Sequence, residues 1–290
     1  MARGGDGDDE GPVVIPSVTG RRLKGVVFDV DGTLLTNGHQ VSLRMQAVCR
    51  DLVEKGVWLT IASARPPTSV QQIAKFIGAH GPLCALNGAI ILTQDGTIER
   101  RLSMPPDIAN ALIARFITDN RVSLNVYSGT EWIVPRIDAS IQEEARIVGF
   151  EPTISPNMNS VGSIEKILLM ADETFAAALT HALSVEGSDV VVARSKPCYV
   201  EITPSGVDKA LGVGEAARLA GFSLSELAAC GDGENDLKML TQAGYGIAMA
   251  HSPLQLRSVA RQIVGSNDDD SLPSALEALF TLPLVISGAA

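Results

Sequence analysis

The sequence predicts an α/β fold in which a doubly wound parallel sheet carries an inserted second α/β unit. Two observations support this. Short apolar runs of strand length alternate with amphipathic stretches of helical period toward both ends of the chain. Between these ends lies a stretch with hairpin punctuation, which interrupts the alternation before it resumes. Strands separated by helices pair in parallel through right-handed crossovers, so the two outer segments define one Rossmann-like core.

Residues 1 to 20, beginning MARGGDGDDEGP, are Gly-rich and acidic and are expected to form a disordered tail. Residues 23 to 30, LKGVVFDV, form the continuous apolar run that a strand buried on both faces requires, and Asp31-Gly32 turns the chain. Ser42 then caps a helix with Met45, Val48, Leu52 and Val53 at helical spacing and Gly56 just beyond its end. A second strand, VWLTIA, follows at 57 to 62. Pro66 and Pro67 open another helix that turns Val70, Ile73, Ala74 and Ile77 inward, and Gly78 ends it before the strand LCALN.

From here the rhythm changes. AIILTQDGTIERRL reads as a hairpin around Asp95-Gly96, and residues 105 to 120 place Ile108, Leu112, Phe116 and Ile117 on one helical face. SLNVYSGTEWIV reads as a second hairpin, followed by a helix over 139 to 147, the strand IEKILLMA, a helix over 174 to 184 and the strand DVVVAR. Residues 88 to 194 are therefore assigned to an inserted α/β cap domain, and residues 21 to 87 with 195 to 290 to the discontinuous core. Within the second core segment YVEITP resumes the first pattern. A helix over 208 to 220, the strand LAACGD, a helix over 235 to 243 and the strand GIAMA follow it.

A net charge of -10 argues against a nucleic-acid or anionic-membrane surface, although part of it sits in the tail. Cys49, Cys84, Cys198 and Cys230 form no C-x-x-C pair and read as free thiols of a cytoplasmic protein. The acidic start lacks the basic-then-apolar pattern of a signal peptide, and the C-terminal LPLVISGAA is too short to span a bilayer. No pattern indicates an oligomeric state.

Alternation along a strand puts Asp29 and Asp31 on one side of the chain, so two carboxylates are expected to converge where the first strand ends. The carboxyl ends of parallel strands form the ligand crevice of such sheets. Like charges held close need a cation, and oxygen ligands favour Mg2+. By itself Asp31-Gly32-Thr33 reads equally well as a turn, and a calcium hand is excluded because an apolar strand precedes it. The stretch GDGEND, 231 to 236, repeats the placement: Asp232 ends a strand, and Asn235 and Asp236 begin a helix or cap it. Two acidic strand ends in one sheet favour a site over coincidence. Ser63 follows the second strand and could hold phosphate oxygens, and Lys209 begins a helix and could supply positive charge; taken singly, both are ordinary residues. His39, His80, His181 and His251 show no metal-ligand spacing.

In this order DVDGT (29 to 33), Ser63, Lys209 and GDGEND resemble the four motifs of the haloacid dehalogenase superfamily, over residues 21 to 280. The insert and the stretch GYGIAMAHS are similar to its Cof-type subfamily of sugar-phosphate phosphatases. The resemblance implies a Mg2+-dependent phosphatase acting on a small phosphorylated metabolite such as a hexose phosphate. Asp29 would be the nucleophile that forms an aspartyl phosphate, and Asp31 would protonate the leaving alcohol and later activate water. Asp29, the backbone carbonyl of Asp31 and Asp232 would hold the metal. Ser63, Lys209 and Asn235 would hold the phosphate, with Asp236 supporting Lys209 or a metal-bound water. The insert would close as a lid, with Arg136, Arg194 and Lys196 as candidate anion contacts. One departure is Ser63-Ala64-Arg65 where the family usually has Thr-Gly-Arg, which puts a close phosphate-to-backbone contact at position 64 in question. Two alternatives stay open: a sugar phosphomutase, and a metabolite-binding protein with a disabled site.

Overall fold

The computed structural model describes residues 23 to 158, 161 to 184 and 189 to 281. The expected acidic tail and the C-terminal LPLVISGAA lie outside the described residues. Five parallel strands run in the order β14 (Gln262–Val264), β13 (Tyr245–Met249), β12 (Leu227–Gly231), β1 (Gly25–Phe28), β2 (Trp58–Ile61). Every residue of β1, β2, β12 and β13 is buried, which is why these strands read as unbroken apolar runs.

Alternation along β1 divides the two helical layers. Val26 and Phe28 enter the core shared with α1 (Leu43–Glu54), α2 (Pro67–Ile77) and α9 (Ser271–Thr281). Val27 enters the one shared with α6 (Lys209–Leu219), α7 (Leu237–Gln242) and α8 (Leu254–Val259). This is the expected doubly wound sheet. Local signals act as read: Ser42 Oγ accepts from Met45 N–H at 3.1 Å, and α2 ends on Gly78 in the left-handed conformation.

β3 (Leu83–Ala85) extends this sheet through one parallel bridge, Ala62 to Cys84. It then pairs antiparallel with β4 (Ile90–Leu92), which pairs with β5 (Ile98–Arg101). The hairpin around Asp95-Gly96, assigned from sequence to the insert, is therefore built onto the edge of the first sheet. Its buried run Ile90 to Leu92 meets the open edge of the strand just before it in the chain.

A second sheet has the order β10 (Val190–Lys196), β11 (Tyr199–Pro204), β9 (Lys166–Met170), β6 (Ser123–Ser128), β7 (Glu131–Val134), β8 (Thr153–Ile154). Ile167, Leu169, Val200 and Ile202 form a separate core with Leu112 and Phe116 of α3 (Pro106–Phe116) and Leu179 of α5 (Glu173–Ser184). The alternate residues Leu168, Met170 and Tyr199 join the main core, together with Trp132 and with Ile141, Ala145 and Val148 of α4 (Ala139–Val148).

One strand departs from expectation. YVEITP was read as resuming the first sheet, but as β11 it pairs antiparallel with both β10 and β9. The boundary expected at 195 thus falls inside a hairpin, and the chain returns to the first sheet after Pro204. Only Pro197 and Cys198 separate the two strands, and a link that short makes neighbours antiparallel.

The thiols of Cys49, Cys84 and Cys230 are buried, and burial pushes Cys49 up to about 12. No helix among the described residues is long and apolar enough to cross a membrane.

Candidate active site

β1 ends at Phe28, so Asp29 is the first residue beyond the strand, tied to β12 by its N–H donating to Cys230 O at 2.9 Å. The residue is 6% exposed, and its Oδ1 lies 2.5 Å from Nζ of Lys209. Lys209 opens α6 behind Asp208, whose side chain caps the helix by accepting from Leu211 N–H. The same ammonium donates to Oδ1 of Asp236 at 2.7 Å, and it is 1% exposed. A lysine so fully removed from water persists because carboxylates surround it.

Asp236 is fully buried and committed on both oxygens: its Oδ2 accepts from the N–H groups of Asp232 (3.0 Å) and Gly233 (2.9 Å). Asp232 accepts from Thr33 Oγ1 at 3.2 Å, and its other oxygen lies 3.3 Å from His251 Nε2. Gly32 makes this approach of two loops feasible. Its φ is +78°, and a Cβ there would sit 2.4 Å from Asp232 Oδ2.

The charges do not balance within the cluster. Asp29, Asp232 and Asp236 offer carboxylate oxygens within 4.8 Å of one another, against the single ammonium of Lys209. Burial pushes Asp29 well above the ordinary carboxylate range; Lys209 pulls it back, and Asp236 and Asp232 push it further up. Burial and then Asp236 raise Asp232 in the same way. Burial opposes the charge of Lys209, but Asp236 and Asp29 outweigh it and hold its pKa above the ordinary lysine value. Excess negative charge on oxygen donors suits a hard divalent cation, so this group could hold a metal.

Asp31 stands apart from the cluster. Asp31 is not one of the three carboxylates that lie within 4.8 Å of one another, and β1 stops at Phe28, before either Asp29 or Asp31. The Asp31 carboxylate turns instead to Arg65, which donates from Nε to Oδ2 at 2.8 Å and from Nη2 to Oδ1 at 2.7 Å. Desolvation pushes the Asp31 pKa up, but the Arg65 hydrogen bonds and charge, then Lys196 and His39, bring it below the usual value. Its side chain keeps 46% of its surface open, and His39 Nδ1 lies 3.8 Å away.

Ser63 lies just past β2, 1% exposed, and its Oγ accepts from Arg65 N–H at 3.1 Å. Asn235 donates from Nδ2 to Oδ1 of Asn87 at 3.0 Å. Ala64 adopts an ordinary negative φ: the described non-glycine residues with positive φ are His39, Leu86, Asn87 and Met158. Alanine in place of the family glycine therefore imposes no left-handed strain.

Side chains of the second sheet reach the same loops, and sequence reasoning did not single them out. Lys166 donates to the carbonyl of Ala64 at 3.2 Å and pairs with Glu201 Oε1 at 2.8 Å. Glu201 Oε2 lies 3.5 Å from Asn87 Nδ2, and Arg65 Nη1 donates to the Ile147 carbonyl of α4 at 3.0 Å. The available signal was a lone lysine within the apolar run IEKILLMA. Of the candidate anion contacts, Arg136 donates to the carbonyls of Ile117, Asp119 and Val122, and so has a structural role. Arg194 is exposed on β10, and Lys196 lies 4.4 Å over the Tyr199 ring while its charge bears on Asp31.

A lysine buried among carboxylates lies at the strand ends of an open parallel sheet, in a doubly wound α/β enzyme with a second α/β layer. The family model of haloacid dehalogenase-like hydrolases matches residues 26–276, and the chain belongs to that family. It is 26% identical over 268 residues to the 5-amino-6-(5-phospho-D-ribitylamino)uracil phosphatase YitU of Bacillus subtilis, covering 89% of this chain and 97% of the relative. It is 26% identical over 231 residues to the HMP-PP phosphatase of Cronobacter sakazakii, covering 79% and 85% of the two chains. The crystal structure of a haloacid dehalogenase-like hydrolase from Bacteroides thetaiotaomicron superposes with a TM-score of 0.82 at 26% identity, covering 89% of this chain and all of the other.

Proposed function

We propose that the protein is a Mg2+-dependent phosphatase that hydrolyses a small phosphorylated metabolite, with a sugar phosphate as the leading class, through an aspartyl phosphate on Asp29. The observation that carries this reading is the buried Asp29 carboxylate, held by Lys209 beside Asp232 and Asp236. Similarity to two relatives named as phosphatases supports it. The buried free thiols support a cytoplasmic setting.

Asp29, Asp232 and the backbone carbonyl of Asp31 would hold Mg2+, which when bound neutralises charge on the transferring phosphoryl group. Asp29 attacks phosphorus in line. As the Asp29 O–P bond forms, the bond to the leaving oxygen breaks, and Asp31 gives that oxygen a proton. Water then attacks the same phosphorus and gives its proton to Asp31, freeing orthophosphate and restoring Asp29. Lys209, Ser63 and Asn235 hold the phosphoryl oxygens, and Asp236 keeps Lys209 charged and aimed. Asp31 can carry a proton only when the paired bonds from Arg65 loosen, because that pairing favours the carboxylate. The second layer, residues 103 to 204, acts as the cap, closing over the crevice and excluding bulk water.

The test is release of orthophosphate from a panel of phosphorylated metabolites, with and without Mg2+. Asp29→Asn is expected to abolish turnover, with circular dichroism checking that the variant is still folded at the assay temperature. Retained Mg2+-dependent release in that variant overturns the nucleophile assignment.

A further inference from the structure

Lys166 and Glu201 form an ion pair on the face of the second sheet that looks toward the first. Their strand neighbours Ile167, Val200 and Ile202 face the sheet's own core, so alternation turns Lys166 and Glu201 the other way. Both are buried, at 4% and 6% exposure. Removing two charges from water costs several kcal/mol per ion before they attract one another, and apolar residues would serve the packing of that face as well. Within the second sheet Glu201 Oε1 also accepts from Ser195 Oγ at 2.7 Å and Lys166 Nζ lies 5.7 Å over the Tyr127 ring, so the pair is anchored there.

The pair also reaches out of that sheet. Lys166 Nζ donates to the carbonyl of Ala64 at 3.2 Å, and the N–H of the same peptide unit, that of Arg65, donates to Ser63 Oγ at 3.1 Å. The Ala64–Arg65 peptide is planar, so holding it at both ends fixes its orientation beside the strand ends. An ammonium on the carbonyl also polarises the amide and makes its N–H a stronger donor. Because Ser63 Oγ accepts from Arg65 N–H, its own hydroxyl proton is left to donate elsewhere. Among the described residues the N–H of Ala64 has no acceptor, whereas that of Ser63 is bonded to Cys84 O. The loop thus keeps one N–H and one O–H for a ligand.

We propose that Lys166 is a positioning residue of the phosphate-binding loop: from the cap it pins the Ala64–Arg65 peptide, which aims the Ser63 hydroxyl at the phosphoryl group. This rests on the phosphatase reading above. Glu201 holds the ammonium in place through its 2.8 Å pairing.

The experiment is a double-mutant cycle on orthophosphate binding, measured by calorimetry in the presence of Mg2+, with kcat and KM followed alongside. Lys166→Met alone would strand the Glu201 carboxylate, so the first change of the cycle is Lys166→Met made together with Glu201→Gln, the second is Ser63→Ala, and the two are then combined. Each single change is expected to weaken phosphate binding on the order of tenfold, the scale of one charge-assisted hydrogen bond. The combination is expected to be no weaker than Ser63→Ala alone, because Lys166 acts through that hydroxyl. Additive losses, or no loss with Lys166→Met, overturn the inference. A wild-type protein that binds no phosphate in the presence of Mg2+ overturns the phosphatase reading itself, which is a separate failure.

Discussion

Replacing Asp236 by Asn tests the electrostatic logic of the site without touching the proposed nucleophile. Asp236 accepts from Lys209 on one oxygen and from the Asp232 and Gly233 N–H groups on the other. An amide has one acceptor oxygen, so either orientation of Asn points its NH2 at a donor: the ammonium one way, the two backbone N–H groups the other. Removing one partner from a fully buried ion pair costs about 3–5 kcal/mol. At roughly 2–4 °C per kcal/mol for a chain of this size, the melting temperature should fall by about 6–20 °C. Calorimetry without divalent cations reads this directly. The control is Asp51→Asn, which makes the same charge change at an exposed pair with Lys55 and should move the transition by about 1 °C or less. A fall of less than about 2 °C for Asp236→Asn would show that Lys209 is not held by buried charge, refuting the account of the site.

Two further outcomes follow from the same charges. Asp29 and Asp232 have raised pKa values in the folded protein, so the native state binds more protons than the unfolded chain between the ordinary value of 3.8 and the raised ones. The stability they lend is complete below that window and lost as pH rises through it. Added Mg2+ should therefore raise the melting temperature more above that window than below it, and a larger effect below the window rules out cation binding at these carboxylates. Arg65→Met removes the groups that hold Asp31 below its usual range, so the Asp31 pKa should rise and the alkaline limb of the pH profile of kcat/KM should move to higher pH. A limb that stays put or moves down excludes Asp31 as the proton donor.

The features legible in the sequence were those written in local period and punctuation. β1, β2 and β12 stood out as apolar runs because helices cover both their faces, and Ser42 and Gly78 marked helix ends through their own chemistry. The short elements β8, α8 and β14 escaped notice, since two to six residues hold too little periodicity to register. YVEITP was misassigned for a different reason: its apolar run fits either sheet, and pairing partners are not encoded within one strand. Within the site, the acidic groups were read from their place after strands and Lys209 from its place at the start of a helix. The turn of Asp31 toward Arg65 was not, because it depends on a loop leaving the strand, where alternation no longer holds. His251 and Asn87 also went unrecognised, since their contacts with Asp232 and Asn235 join residues distant in sequence.

The two sheets are joined by stretches that change allegiance within a few residues. Leu102 N–H donates to Ala89 in the first layer, and two positions later Met104 N–H donates to Ile164 in the second. On the way back, Ser205 N–H still bonds Asp189, whereas Asp208 already caps α6 and pairs with Lys238. Gly88, at φ +101°, lets this return crossing run against the end of β3; a Cβ there would meet the Asp208 carbonyl at 2.6 Å. Tethers that short act as a pair of door pins. Lys209, one residue beyond such a tether, belongs with the first layer beside Asp29, whereas the bond of Arg65 to Ile147 crosses between the layers and would have to break for the proposed cap to open.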